Sequence, residues 1–210
     1  MSDIVSPYKN IKQYTKILLK PHQMNSDIKN NLKLNLREKV EKKCNKNGFV
    51  DEVFRIEKYP DGFLPPENLS GNVVYNIEYT CRLCLPIENT VVIAQIQVIS
   101  PELILAKNGP IFIFIPRDKI STNLYNVTNE FIHIQSKKKL SANQYVKVLI
   151  LNKKINNGDS QINAIGKLLD LPSDKEITKY FGNTVVIAKQ NVENTDEEIQ
   201  PKQEESNFIM

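Results

Sequence analysis

The chain reads as an α+β protein in which one helix lies on an antiparallel sheet and a small β-barrel follows. Three observations point there. Ile28, Leu32, Leu36 and Val40 recur with helical period near the N-terminus. Residues 73–85 alternate apolar and polar with period two. Tyr145–Leu151, the turn Asn156-Asn157-Gly158-Asp159, and Gln161–Leu168 with its Leu169-Asp170 tail form a hairpin pattern whose turn residues tolerate positive φ.

Taken in order, residues 1–13 show little periodicity and are expected to be an extension. Tyr14–Lys20, with Ile17-Leu18-Leu19 stopped by Pro21, predicts a short strand. The helix follows, capped by Asn25 or Ser26 and ended by Gly48 as a positive-φ stop after Cys44 and Asn47. Lys29, Lys33, Arg37, Lys39, Lys42 and Lys43 fall off its apolar face and form a solvated surface. Phe49–Tyr59 predicts a strand, and Pro60–Pro66 a loop that exposes Phe63 and Leu64 between prolines, which is unusual without a partner.

In the strand after Gly71, Val73, Tyr75, Ile77, Tyr79, Cys81, Leu83 and Leu85 point to a core, and Asn76, Glu78, Thr80 and Arg82 to water. The same alternation places Cys81 inside and Cys84 outside, so Cys81-Arg82-Leu83-Cys84 cannot converge on one tetrahedral zinc. With only His22 and His133 as spare ligands, no metal and no cofactor are expected, and Cys84→Ser should be tolerated far better than Cys81→Ser.

After Pro86 the pattern becomes short strands at Thr90–Ile99, Glu102–Ala106, Ile111–Ile115, Phe131–Gln135, Tyr145–Leu151 and Gln161–Leu168. Lys107-Asn108-Gly109-Pro110 is a tight turn and Arg117–Thr128 a long connection, a layout that suits a five-stranded Greek-key barrel of the OB type among other small barrels. Phe112 and Phe114 alternate with Ile111, Ile113 and Ile115; they are expected to fill the barrel or a domain interface, the alternative being aromatics presented on one strand face. Beyond the barrel, Ile177–Phe181 and Thr184–Lys189 suggest a helical turn and a strand around Gly182, and Asn191–Met210 an acidic disordered tail.

The 210 residues hold no run near the roughly 20 apolar residues of a membrane span. Together with a start lacking signal-peptide character and an odd count of three cysteines, this predicts a soluble, intracellular protein without a disulfide framework. The net charge of +4 hides an asymmetry, since residues 190–210 carry six acidic side chains and one lysine, leaving about +9 on the rest. A basic body suits a polyanion partner, and a Lys- and Asn-rich composition also fits an AT-rich genome. Catalysis finds no support: there is no Gly-rich phosphate loop, and His22 and His133 lack a nucleophile or acid partner.

The succession Ile17-Leu18-Leu19-Lys20-Pro21, Val40–Cys44 with Gly48-Phe49-Val50, Glu78-Tyr79 leading to Pro86, Asn108-Gly109-Pro110, and Asn163–Asp170 resembles the stalk subunit of multisubunit DNA-directed RNA polymerases. That family comprises the seventh subunit of RNA polymerase II and its archaeal counterpart, and the resemblance covers about residues 14–170. It implies an N-terminal truncated-RNP-like tip domain over 14–85 and an OB-fold barrel of the ribosomal S-one type over 86–170, flanked by extensions 1–13 and 171–210. It also implies a non-catalytic role: the tip docks the polymerase core, a fourth-subunit-type partner packs along the stalk, and the barrel lies near the exiting transcript.

Carried onto this sequence, the docking residues are Gly62, Phe63, Leu64, Pro65 and Pro66. The candidates for weak, sequence-independent contact with nascent single-stranded RNA are Lys107, Arg117, Lys119, Lys137, Lys138, Lys139, Lys147, Lys153 and Lys154. Two places depart from the family pattern. Asn89 stands for the glycine after the barrel-opening proline, and Leu103-Ile104-Leu105 stands for Gly-Leu-Phe, which removes an aromatic suited to base stacking. The expected location is with the polymerase: virion and host cytoplasm if the source is a large DNA virus, nucleus if it is cellular. A free-standing OB-fold single-stranded RNA-binding protein of translation-initiation type is the alternative, with an enzyme a more distant one.

Overall fold

The computed structural model describes residues 4–66, 69–127, 131–135 and 137–182. The chain divides after Leu171 into two units. In the first, β1 (Tyr8–Leu19), α1 (Ile28–Val40), β2 (Lys43–Asn45), β3 (Gly48–Lys58) and β4 (Val73–Cys84) build an antiparallel sheet of order β1-β4-β3-β2 with the helix on one face. Leu32 and Leu36 are fully buried against Ile17, Val53, Ile77 and Tyr79, so the four-residue periodicity does identify the buried face of the helix.

Three boundaries differ from expectation. Strand β1 starts at Tyr8, six residues early, and pairs with β4 along its whole length; as an edge strand with polar Lys9, Asn10 and Lys12 it carries little apolar period. The helix stops at Val40, where Glu41 turns extended and Lys42 adopts φ 58°. Its cap position is Asp27, and the Asn25 carboxamide accepts from the Asp27 N–H. Gly48 opens β3 instead of ending the helix; its φ of 138° favours glycine, and a β-carbon there would stand 2.7 Å from the Cys84 carbonyl oxygen.

The second sheet closes on itself. Strands β5 (Val91–Ile99), β6 (Leu103–Asn108) and β7 (Ile111–Pro116) form a meander; β8 (Tyr125–Val127) and β9 (Phe131–His133) follow, then β10 (Tyr145–Lys154) and β11 (Ile162–Leu168). The barrel runs β5-β6-β7-β11-β10 and back to β5, antiparallel throughout except for β7 with β11. This five-stranded closure is compatible with an OB-type barrel. Phe131–His133 is not one of its strands: β9 forms a two-stranded sheet with β8, apart from the barrel sheet. The two-stranded piece is tied to the end of β11, because the Tyr125 hydroxyl donates to the Leu169 carbonyl (2.8 Å) and His133 Nε2 stands 3.0 Å from Asp170 Oδ1.

Ile111, Ile113, Ile115, Val148 and Ile150 are fully buried. At Gly166 the interior has no room left: an added β-carbon would overlap Val148 Cγ1 and lie 2.8 Å from Ile113 Cγ2. Gly166→Ala should therefore cost about 1–3 kcal/mol by overpacking, read as a lower midpoint in denaturant melts. One of the departures noted in the sequence, Asn89, has a backbone reason. Asn89 sits at φ 61°, a conformation that glycine and asparagine both tolerate.

The sheet and the barrel are clamped together. Cys44 N–H donates to the Asp159 carbonyl (2.7 Å), Gly158 N–H to the Cys44 carbonyl (2.8 Å), and Lys153 Nζ to the Pro86 carbonyl (2.7 Å). The Tyr8 hydroxyl fills the space left by the missing side chain of Gly109, whose φ is 56°. In the second unit α2 (Asp174–Phe181) starts earlier than Ile177, capped by Ser173 in a reciprocal box with Glu176, and ends at Gly182. Thr184–Lys189 and the acidic tail Asn191–Met210 lie outside the described residues.

Candidate functional surfaces

Past Lys58 the chain leaves the sheet and returns at Phe63, which exchanges both backbone hydrogen bonds with Val74 (3.0 and 2.9 Å). Gly62 makes the return possible, since a side chain there would strike Val73 and the Tyr75 ring. The loop is thus fixed at its backbone while Phe63 and Leu64 stay 46% and 56% exposed, with Pro65 half-buried and Pro66 exposed. Two apolar side chains held in water on a fixed backbone are what a protein interface uses as anchors.

On the barrel the structure corrects the expectation for the two phenylalanines. The isoleucines of β7 fill the interior and Phe112 and Phe114 face outward, Phe114 being 38% exposed. Leu105 is paired with Phe114, which is paired with Ile165; a bulge in β5 brings Val98 beside Leu105. One apolar row therefore crosses four strands on the outside: Val98, Leu105, Phe114 and Ile165. The next row is Gln95, Lys107, Phe112, Asn163 and Lys154, with the Lys107 ammonium 5.0 Å from the Phe112 ring centroid.

The basic candidates do not converge on one site. Lys107 and Lys154 flank the aromatic rows. Lys153 is engaged with the Pro86 carbonyl, and the half-buried Lys147 binds the chain at Leu169 and Asp170 through its backbone. Arg117 and Lys119 lie in the turn after β7, where Lys119 pairs with Asp118 at 3.0 Å. Lys137, Lys138 and Lys139 sit after β9; the Lys138 carbonyl accepts from the His133 N–H, and Lys139 bridges to Ile132. Sequence reasoning missed Val98 and Ile165, whose placement depends on the β5 bulge and on the parallel β7–β11 pairing.

The cysteines also need correction: Cys84 is fully buried, as is Cys81. Strand alternation does put them on opposite faces, but at this end the second face is covered where Tyr8 and Phe49 pair with Cys84 and the barrel closes over them. Burial lifts the Cys81 thiol to about 11; at Cys84 burial and the nearby Asp51 charge reach about 12 despite a hydrogen bond with Tyr8. Cys84→Ser should accordingly destabilise about as much as Cys81→Ser, which parallel thermal melts will show. Among the described residues no cluster of His, Cys, Asp and Glu could hold a metal ion.

Asp51 joins this corner through Lys42 Nζ (2.7 Å) and Arg82 Nε (2.7 Å), Arg82 lying 5.5 Å from the Tyr8 ring centroid. Partial burial raises the Asp51 carboxyl pKa, but the two hydrogen bonds and the charges of Lys42 and Arg82 outweigh it and hold the carboxyl below its ordinary value. A depressed folded pKa means that this stabilisation is present above the unfolded pKa and lost as pH falls through the folded one. Asp51→Asn should narrow the stability gap between pH 6 and pH 3, measured by urea melts at both values.

No protein-family model matches the chain. A curated protein named "Putative DNA-directed RNA polymerase subunit L376", from Acanthamoeba polyphaga mimivirus, is 33% identical to it over 193 residues, 91% of this chain and 97% of the relative. The chain belongs to the family of this RNA polymerase subunit. The match takes in the sheet and the barrel alike. None of the described helices of this polymerase subunit is long and apolar enough to cross a membrane.

Proposed function

We propose that the chain is a non-catalytic stalk subunit of a viral-type DNA-directed RNA polymerase. The observation that carries this reading is a relationship to a polymerase subunit spanning nearly the whole of both chains, combined with a fixed loop that holds Phe63 and Leu64 in solvent. The sheet with its helix acts as the truncated-RNP-like tip, docking the core through Gly62–Pro66, and the barrel is of the S-one type. A fourth-subunit-type partner packs along the stalk, and the subunit resides with its polymerase in virion and host cytoplasm. Nascent single-stranded RNA passes over the outer face of β6, β7, β11 and the end of β10, where Phe112 and Phe114 offer rings for stacking and Lys107 and Lys154 neutralise phosphate.

The test is to purify the polymerase through a tag on this chain and to prepare the same enzyme without it. The expected result is capture of the two largest subunits in equal amount, with the depleted enzyme still extending RNA on a preassembled scaffold but impaired in promoter-dependent starts. A chain that binds single-stranded RNA yet never accompanies the large subunits is a free-standing RNA-binding protein instead. Loss of scaffold extension on depletion would place the chain in the chemistry.

A further inference from the structure

The sheet face opposite α1 remains open around the middle of β1 and β4. Between the last pair of β3 with β4, Lys58 with Glu78, and the return of Phe63 to Val74, the chain swings out at Tyr59 and Pro60. The gap is a groove of about 910 Å³, walled by Tyr14 and Lys16 on one side and by Lys58, Tyr59 and Pro60 on the other, with Asn76 in its floor. Tyr14 is 76% exposed. Toward the loop the groove runs into the cross-strand row Leu18, Val74 and Phe63, so its apolar surface is continuous with the docking residues.

The charges around the groove are unequal in their engagement. Glu57 accepts from Thr80 Oγ1 (2.6 Å) and pairs with Arg55 (2.8 Å), and Glu78 faces Lys12 (3.8 Å). Lys16 and Lys58 have no ion-pair partner among the described residues. The groove therefore offers two tyrosine rings and two uncompensated ammonium groups, with both of its carboxylates already neutralised. Tyrosine-walled apolar surface of this kind is characteristic of interface cores, with the complementary charge at the rim supplied by the partner.

We propose that this groove is a second half of the core-docking surface and receives an extended segment of a polymerase core subunit that carries an apolar anchor beside acidic residues. The proposal rests on the stalk reading above: the anchor packs between Tyr14 and Tyr59, its carboxylates pair with Lys16 and Lys58, and Phe63 and Leu64 close the adjoining contact.

Three variants of the full chain, Phe63→Asp/Leu64→Asp, Tyr14→Ser/Tyr59→Ser and Lys16→Glu/Lys58→Glu, are titrated onto polymerase depleted of the subunit, at low and high salt. Both groove variants should bind on the order of tenfold more weakly. The lysine pair should show the greater share of its loss at low salt. If only the loop variant loses affinity, the loop docks and the groove inference is overturned. Should all three bind like the unaltered chain, the docking reading itself falls. A photo-crosslinker placed at Tyr59 gives an answer independent of stability: attachment to a core subunit supports the proposal. Attachment to RNA alone, with reduced affinity of the lysine variant for an oligonucleotide and unchanged polymerase binding, makes the groove a nucleic-acid contact and overturns it.

Discussion

Replacing Phe63 and Leu64 together by aspartate is expected to release the chain from the polymerase while leaving it folded. Both side chains are already in water, so their loss removes little from the core, and the ladder bonds between Phe63 and Val74 use backbone atoms that the substitution keeps. Anchors of this kind each contribute about 2–4 kcal/mol to association, without strict additivity, and a charge in place of an apolar side chain adds the cost of burying it unpaired. Co-purification with the large subunits should therefore fall to background, and the thermal midpoint should stay within a few degrees of the unaltered chain. Retention of the double variant on the polymerase would move the anchor elsewhere.

The second large effect concerns RNA. Phe114→Ala should weaken binding of a single-stranded oligonucleotide by about 1–3 kcal/mol, since it removes the exposed ring at the centre of the outer row. Leu105 stands directly opposite Phe114, so Leu105→Phe adds a ring beside an existing one and should tighten binding by at most a similar amount. Lys107→Ala and Lys154→Ala should each reduce the slope of log affinity against log salt by about 0.7. Lys153→Ala should instead loosen the Pro86 contact and lower stability without changing that slope. Binding that ignores all of these changes would leave the barrel as a platform for protein partners only.

What the sequence made legible follows from where one face is wet. In β4 the alternation from Tyr75 to Leu83 matches the buried set because the residues between, Asn76, Thr80 and Arg82, meet solvent or polar partners. In β7 both faces are apolar, so Ile-Phe-Ile-Phe-Ile cannot announce which residues fill the barrel; the narrow interior, already full at Gly166, takes the isoleucines and leaves the rings outside. The burial of Cys84 depends on Tyr8 and Gly109, residues about a hundred positions apart, and local periodicity has no access to such a contact. The candidate lysines were legible as a basic inventory, but only the strand register separates Lys107 and Lys154 beside the rings from Lys153 on a carbonyl.

The clamp between Cys44 and the turn at Gly158 and Asp159 has a consequence for how the chain acquires its structure. A short edge strand near the beginning obtains its outer hydrogen bonds only after a turn more than a hundred residues later has formed. Such pairing must meet its loop-closure entropy before any contact repays it, which makes the topology slow to form. On the ribosome the early sheet consequently waits, incomplete, for the last hairpin to emerge. Once assembled, sheet and barrel should melt in a single transition rather than in two steps, with calorimetric and van't Hoff enthalpies in agreement for residues up to Leu171.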